Sequence, residues 1–317
     1  MIHRLRVSLM LVALLSPGGC GSGVQEPRTD APEPPITANH FPRLDASTSA
    51  EPILAQIACT FARVPCRWTD WLDGERRLAP DLTTYAGGFP EYSASGTHQA
   101  YLNLIEGQAD LIVVARAPSD DENREAAVAG RRLELHPVAL DAFVFIVNQD
   151  NPVDELSTKE IRNIYTGGLS HWSEVGGEDA AIHPYQRDEN SGSQELMRTL
   201  VMRGSPMIDA PDLVMPTMFA PFYAVSTDPA GIGYSIFFYE ENMAPRKESV
   251  RLLAVDGVMP SAASIRSREY PYTTEVYAVA RDDLPKDSLA RQLLDWLRSR
   301  NGQALIQDCG YVPLHGE

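Results

Sequence analysis

The sequence predicts an α/β protein with at least partly parallel sheets. Strand-length apolar runs alternate with helical patterns, hydroxyl-rich turns stand between strands and the helices that follow them, and 317 residues with 44% apolar composition can fill two ordinary domains. Charge narrows the partners. A formal net charge of −16 argues against nucleic acid and against docking on an anionic membrane through a basic face. A small anion stays possible, because N–H groups a few Å away outweigh distant charge that salt screens beyond about 10 Å.

The chain opens with "MIHRLR", a short basic segment, followed by an apolar run at residues 7–15 that is too short to span a bilayer, and then "SPGGC". We expect a signal peptide over residues 1–19. Gly18, Gly19 and Cys20 resemble a lipoprotein signal, which implies lipidation at Cys20, although Pro17 stands where that motif has leucine. Residues 20–40 are rich in Pro, Gly and acids and read as a disordered tether. Anchor and tether together would hold an exported module at the membrane, periplasmic or on the cell surface.

The folded part begins near Phe41. "FPRLDASTSAEPILAQIACTFA" reads as a strand, a turn at Ser47, Thr48 and Ser49, and a helix carrying Ile53, Ile57 and Ala58 on one face. "YSASGTHQAYLNLIEG" repeats the theme, with Ser95, Gly96 and Thr97 before a helix, and "ADLIVVARAP" is an apolar strand ending at Arg116. "DDENREAAVAGRR" is expected to be a solvated helix face. "LDAFVFIVNQDNP" is another strand, and "STKEIRNIYTG" opens with a Ser-x-x-Glu capping box. "FAPFYAV" reads as a packed loop. "GIGYSIFFYEE" and "EVYAVAR" read as strands, and "SLARQLLDWLRSRNGQALIQDCG" as a helix or two broken at Asn301 and Gly302.

Between these lies "YQRDENSGSQELM". Ser193 is the expected N-cap of a helix with Glu195 in its first turn. Unpaired N–H groups at that start, the Ser191 and Ser193 hydroxyls, close backbone approach at Gly192 and the two-pronged donor Arg187 together suit a tetrahedral oxyanion. Taken alone, any helix can begin with such a cap. Convergence of the three hydroxyl turns on one cleft would make an oxyanion receptor; without it each turn is a cap.

Cys59, Cys66 and Cys309 allow one disulfide with one thiol left over, or buried packing of all three. Neither Cys-x-x-Cys nor paired histidines suggest a metal, and no cofactor is called for. A serine hydrolase would want Gly-x-Ser-x-Gly, and "NSGSQ" is not that. Of the histidines only His98, beside the Ser-Gly-Thr turn, invites examination.

The ordered run Ile164-Tyr165, Gly167, Trp172, Gly176-Gly177, Ile182, and then Arg187, Glu189, Ser191, Gly192 and Ser193 resembles the phosphate-binding-protein branch of the type II periplasmic substrate-binding proteins. "DASTSAEPI", "SASGTHQAYLNLIEGQADLIVVARAP", "GIGYSIF" and "GYVPL" are weaker echoes spread from Phe41 to Leu314. The resemblance implies a two-lobed fold with a ligand cleft between lobes joined by two hinge strands. The first lobe would be residues 41–141 with 272–317, and the second residues 142–271. Ligand contacts would come from Thr48, Ser49, Ser95, Gly96, Thr97 and Arg116 on one lobe, and Arg187, Ser191, Gly192 and Ser193 on the other, with Glu189 steadying Arg187.

One position departs from that pattern. Well-known phosphate receptors have an aspartate, the acceptor for the ligand's proton, where this chain has Arg116. An arginine there would favour a fully ionised anion, act as a second clamp, or turn into a salt bridge with Asp120 or Asp121.

The resemblance implies a non-enzymatic, monomeric lipoprotein that captures an inorganic oxyanion, phosphate first, and passes it to the permease of an ABC importer. The alternative is a sensor or adhesion lipoprotein that keeps the fold without transport. A phosphatase or other hydrolase ranks behind both.

Overall fold

The computed structural model describes residues 35–314 other than positions 38, 73 and 84. The signal peptide, Cys20 and most of the tether lie outside the described residues. From the N-terminal side, β1 (Leu44–Ala46) leads through a 3₁₀ turn at Thr48–Ala50 into α1 (Glu51–Ala62). Pro52 sits in the first turn of α1, where its missing N–H costs no hydrogen bond. A Cys59–Cys66 disulfide ties α1 to the hairpin β2 (Cys66–Asp70) and β3 (Arg76–Pro80), and Cys309 is the buried free thiol.

Next come α2 (Thr97–Ile105), β4 (Leu111–Val114) and α3 (Asp120–Val128). Ser119 and Glu122 form a capping box at α3, and Glu122 is fully buried, so this helix is not the wholly solvated face expected from its composition. The long β5 (Leu133–Asn148) follows, then β6 (Glu155–Leu156) and α4 (Thr158–Tyr165), which starts at the Ser157–Glu160 capping box read from sequence. β7 (His183–Pro184) and β8 (Gln186–Arg187) precede α5 (Gly192–Leu196), which continues as a π-helical turn at Met197–Met202. β9 (Val214–Met215) is followed by α6 (Ala220–Thr227). The segment expected as a packed loop is thus helical, with Pro221 in its first turn and Phe222 and Val225 buried.

β10 (Gly231–Ile236) ends where α7 (Phe237–Asn242) begins, so "GIGYSIFFYEE" is half strand and half helix. The cause is Asp141, whose buried Oδ1 accepts the N–H of Phe238 at 3.0 Å and supplies an acceptor at the helix start. Burial pushes the Asp141 carboxyl up to about 7, against the lowering by N–H donors from Phe238 and Ala142. β11 (Val250–Leu252), β12 (Ala254–Val255), α8 (Ala262–Arg266), β13 (Thr273–Arg281), α9 (Leu289–Leu297), α10 (Arg300–Asp308) and β14 (Val312–Pro313) complete the described chain. The last two helices break at Arg298 and Ser299, with Ser299 capping α10, and Asn301 and Gly302 lie inside that helix. Gly302 is there for space, since a Cβ would fall 2.1 Å from the Trp296 carbonyl oxygen.

The central sheet is mixed and runs β1-β4-β13-β5-β10-β7, with β11 and β14 also on β5. β1–β4 and β7–β10 are parallel pairs, and β5 runs antiparallel to β13 and β10. β5 changes partner midway: Ala142 stands opposite Thr273 of β13, and Phe143 opposite Ile236 of β10. An aromatic cluster fills the core just past that switch. Phe143 packs on Phe145 and Tyr234 at 5.5 and 5.3 Å between ring centroids, and Tyr165 meets Tyr234 at 5.7 Å. Each such ring, fully buried, stabilises the fold by about 1.5–3 kcal/mol.

Candidate functional site

The three hydroxyl turns, remote in sequence, line a single cleft of about 490 Å³. Thr48 and Ser49 come from the turn before α1, Ser95, Gly96 and Thr97 from the start of α2, and Ser191, Gly192 and Ser193 from the start of α5. Arg116 and Arg187 line the same cleft. All ten residues singled out from the sequence therefore share one space, though their side chains are differently engaged.

The turn at α2 is held by an acid the sequence reading passed over. Asp45 of β1 is buried, and its Oδ1 accepts the N–H of Ser95 at 2.9 Å while Oδ2 accepts the Ser95 hydroxyl and Asn103 Nδ2 at 2.6 Å each. Both donors of Ser95 are thereby committed to the protein. Gly96 has φ +94° and ψ 161°, a region only glycine enters at low cost, and this sets the direction in which α2 begins. Thr97 is buried against Gly192: a Cβ on that glycine would meet Thr97 Oγ1 at 2.6 Å and Thr97 Cβ at 3.3 Å. Two turns from opposite sides of the cleft touch there.

At α5 the cap is Ser191, not Ser193. Ser191 Oγ accepts the Gln194 N–H at 3.1 Å, which leaves its own hydroxyl proton free to donate. Ser193 sits in the first turn and donates to Met218 Sδ at 3.7 Å. The starts of α2 and α5 line the cleft, and their first-turn N–H groups, apart from that of Gln194, lack partners inside their own helices and add positive potential to it.

Arg187 is buried, yet its charge has little answer inside the protein. Nε donates to the Met215 carbonyl at 2.9 Å, Nη1 to Met218 Sδ at 3.5 Å, and Nη2 stands 3.9 Å from Asp188 Oδ2. Burial pulls its pKa down, with Asp188 opposing, although a guanidinium stays charged throughout the ordinary range. Glu189 does not steady it as expected. That carboxylate is exposed and lies 3.8 Å from Arg198 instead, because the turn into α5 points it outward.

Arg116 is also buried, but its charge is answered, with only Nε left without a hydrogen-bond partner among the described residues. Its Nη1 and Nη2 donate to the two oxygens of Glu122, each at 2.7 Å, and Nη1 also donates to the Ala117 carbonyl at 2.8 Å. It has turned into a salt bridge, but with Glu122, not Asp120 or Asp121, because Glu122 is the member of that acidic run that α3 directs inward. Burial alone would push Glu122 up. The Arg116 guanidinium, the Ser119 N–H and His98 outweigh it and hold the carboxyl below the usual range.

The sequence reading missed the loop between β9 and α6. Pro216, Thr217, Met218 and Phe219 line the cleft, and the Met218 sulfur sits on the donors of Arg187 and Ser193. An apolar, Pro-containing segment gives no chemical signal of that placement. Asp45 did give one, as an acid inside an apolar strand directly before a hydroxyl turn.

A model of the PBP superfamily domain matches residues 69–301. The chain is 24% identical to phosphate-binding protein PstS of Bacillus subtilis, over 96% of this chain and 92% of that protein. Among solved structures it resembles a putative phosphate ABC transporter substrate-binding protein with bound phosphate from Clostridium perfringens, with a TM-score of 0.67, 21% identity, and coverage of 87% of this chain and 100% of that one. An ABC-type phosphate transport receptor from Vibrio cholerae gives a TM-score of 0.62 at 19% identity, covering 85% and 98%. These neighbours share the two-lobed α/β fold. The matched domain spans most of the folded chain and contains Arg116, Arg187 and the turns at α2 and α5, so this chain belongs to the PBP superfamily.

Proposed function

We propose that this protein is an extracytoplasmic solute-binding protein that captures an inorganic oxyanion, phosphate first, for an ABC importer. The observation that carries the reading is Arg187: a buried guanidinium whose nearest carboxylate, Asp188, stands 3.9 Å away without a hydrogen bond, at a cleft ringed by hydroxyls and helix N-termini. Burying a charge without a hydrogen-bonded counter-ion is costly, and a bound anion offsets that cost. The names carried by the Bacillus subtilis relative and by the Clostridium perfringens and Vibrio cholerae structures support phosphate as the first candidate.

In this reading Arg187, Ser191, Gly192 and Ser193 hold the anion from a second lobe of residues 142–271. Thr48, Ser49, Gly96 and Thr97 hold it from a first lobe of residues 41–141 and 272–317. Ser95 and Arg116 build the wall without donating their committed groups. β5 and β13 serve as hinge strands, consistent with the change of partner at Ala142 and Phe143. The mechanism is binding without reaction: closure replaces water by preorganised donors. No helix among the described residues is long and apolar enough to cross a membrane. Membrane attachment through lipid at Cys20, delivery to a permease and a monomeric state belong to the same proposal.

The test is calorimetric titration of the mature domain, stripped of endogenous ligand, with phosphate, sulfate, molybdate and arsenate. Tight phosphate binding that Arg187→Ala abolishes is the expected result. Silence with every anion would displace the importer reading in favour of an organic ligand or a protein partner.

A further inference from the structure

We propose that His98 is the residue that reads whether the bound oxyanion carries a proton, with its Nε2 as the acceptor for a ligand hydroxyl. The proposal deepens the oxyanion reading above and rests on it. His98 is the second residue of α2 and lines the cleft next to Thr97. Its Nδ1 lies 3.0 Å from Glu122 Oε1, and its side chain is 31% exposed. Glu122 receives both Arg116 nitrogens and the Ser119 N–H at 2.7 Å, a donor set that suits only an ionised carboxylate. An ionised carboxylate has no proton to give, so the proton in the His98–Glu122 bond belongs to Nδ1. In the neutral ring Nε2 therefore carries the lone pair. It makes no hydrogen bond among the described residues.

Among its charged and hydroxyl groups the rest of the cleft offers mainly donors, Arg187, the Ser191 and Ser193 hydroxyls and Thr48, while Gln99 and Asn190 bring neutral amide carbonyls. The carboxylates that line it are Glu75 and Asp188. Glu75 accepts from the Tyr239 hydroxyl and from Arg77 Nη2, and Asp188 stands beside Arg187. Arg116 offers only donors, and both its Nη groups are spent on Glu122. A phosphate or arsenate that keeps a proton near neutral pH needs an acceptor for it, and sulfate does not. The charged groups around the imidazole are Glu122 on α3 and Arg116 after β4, with Arg187, Asp188 and Glu75 on the cleft walls.

The experiment is competition calorimetry of the wild-type mature domain, His98→Leu and His98→Lys with phosphate, arsenate and sulfate at pH 8. Matched thermal midpoints, measured first, establish that each variant is folded. At pH 8 we expect His98→Leu to weaken phosphate and arsenate together by about tenfold, the worth of one good hydrogen bond to an anion, while sulfate changes less than about twofold. His98→Lys, which places a donor there, should narrow or invert the phosphate-to-sulfate ratio. An unchanged ratio in both variants, with wild type still binding phosphate, overturns the assignment of His98 alone. A wild type that binds none of the anions overturns the oxyanion reading and this inference with it.

Discussion

Arg116 and Arg187 line one cleft, are 4% and 7% exposed, and are wired in opposite ways. Arg116 closes a two-pronged bond on Glu122, so its charge is answered within the fold. Arg187 spends its nitrogens on a carbonyl and a thioether, and its ion-pair partner among the described residues is 3.9 Å away. Burial of a cation is thus no mark of function by itself. What marks a ligand site is a buried charge whose counter-ion stands off without a hydrogen bond, because a guanidinium cannot shed its proton to escape the cost.

The contrast can be broken first at Glu122. Glu122→Gln leaves Arg116 buried without its counter-ion, and we expect a loss of about 3–5 kcal/mol in urea unfolding at neutral pH. Replacing both partners, as Arg116→Met with Glu122→Leu, should recover most of that loss, since an apolar pair of similar volume requires no desolvation of charge. The Glu122 carboxyl is held below its usual range in the fold, so the stability it contributes is present at neutral pH and is lost as pH falls below about 4. The Gln variant should lack that acid-side loss. Equal stability of Glu122→Gln and wild type would mean that Arg116 is not anchored as described.

Arg187→Met should do the reverse. Phosphate affinity is expected to fall at least about 100-fold, near 2.7 kcal/mol, while unfolding free energy stays level or rises because an unanswered buried charge has gone. Calorimetry and urea unfolding on the same sample separate the two effects. A stability loss as large as that of Glu122→Gln would erase the distinction between the arginines.

How much of this was legible in the sequence follows from the range of the forces involved. Local chemistry was readable: the Ser157–Glu160 capping box, the strand-turn-helix units and the hydroxyl turns are set by residues a few positions apart. The gathering of those turns into one cleft was readable only through the ordered motif around Arg187. What failed depended on partners distant in the chain. The chain leaves the strand at Phe237 because Asp141, remote in sequence, accepts the Phe238 N–H, and Gly302 marks a close approach to Trp296 and not a helix break. Glu189 and Glu122 exchanged expected roles because an acid's direction on a turn or helix decides its partner, and composition does not encode direction.

A smaller effect tests whether the two sides of the cleft are as close as the turns suggest. Gly192→Ala adds a methyl group 2.6 Å from Thr97 Oγ1, and Thr97 Cβ at 3.3 Å limits relief by rotation. The added atom is paid in separation between the α2 and α5 turns, so phosphate affinity should fall about tenfold, 1.4 kcal/mol, by calorimetry. Thr97→Ser, which lacks the β-branch and so lets the hydroxyl rotate away from the new methyl group, should restore part of it in the double variant. A Gly192→Ala protein with full affinity would show that the turns move apart when the ligand is held.

The smallest expected change concerns Met218, the residue that stands on the unanswered side of the comparison. Its sulfur accepts from Arg187 Nη1 at 3.5 Å and Ser193 Oγ at 3.7 Å, two donors an oxyanion would take. A thioether is a weak acceptor and yields to an anionic oxygen, but the exchange still subtracts from the net gain. Met218→Leu keeps the volume and removes the acceptor, at a packing cost under about 1.5 kcal/mol. Phosphate affinity should rise by a few-fold, less than about 1 kcal/mol, and the gain should disappear when Arg187 is already Met. If affinity falls instead, Met218 stabilises the liganded cleft by contact, and Arg187 is prepared for its anion by the protein in a way the hydrogen bonds alone do not convey.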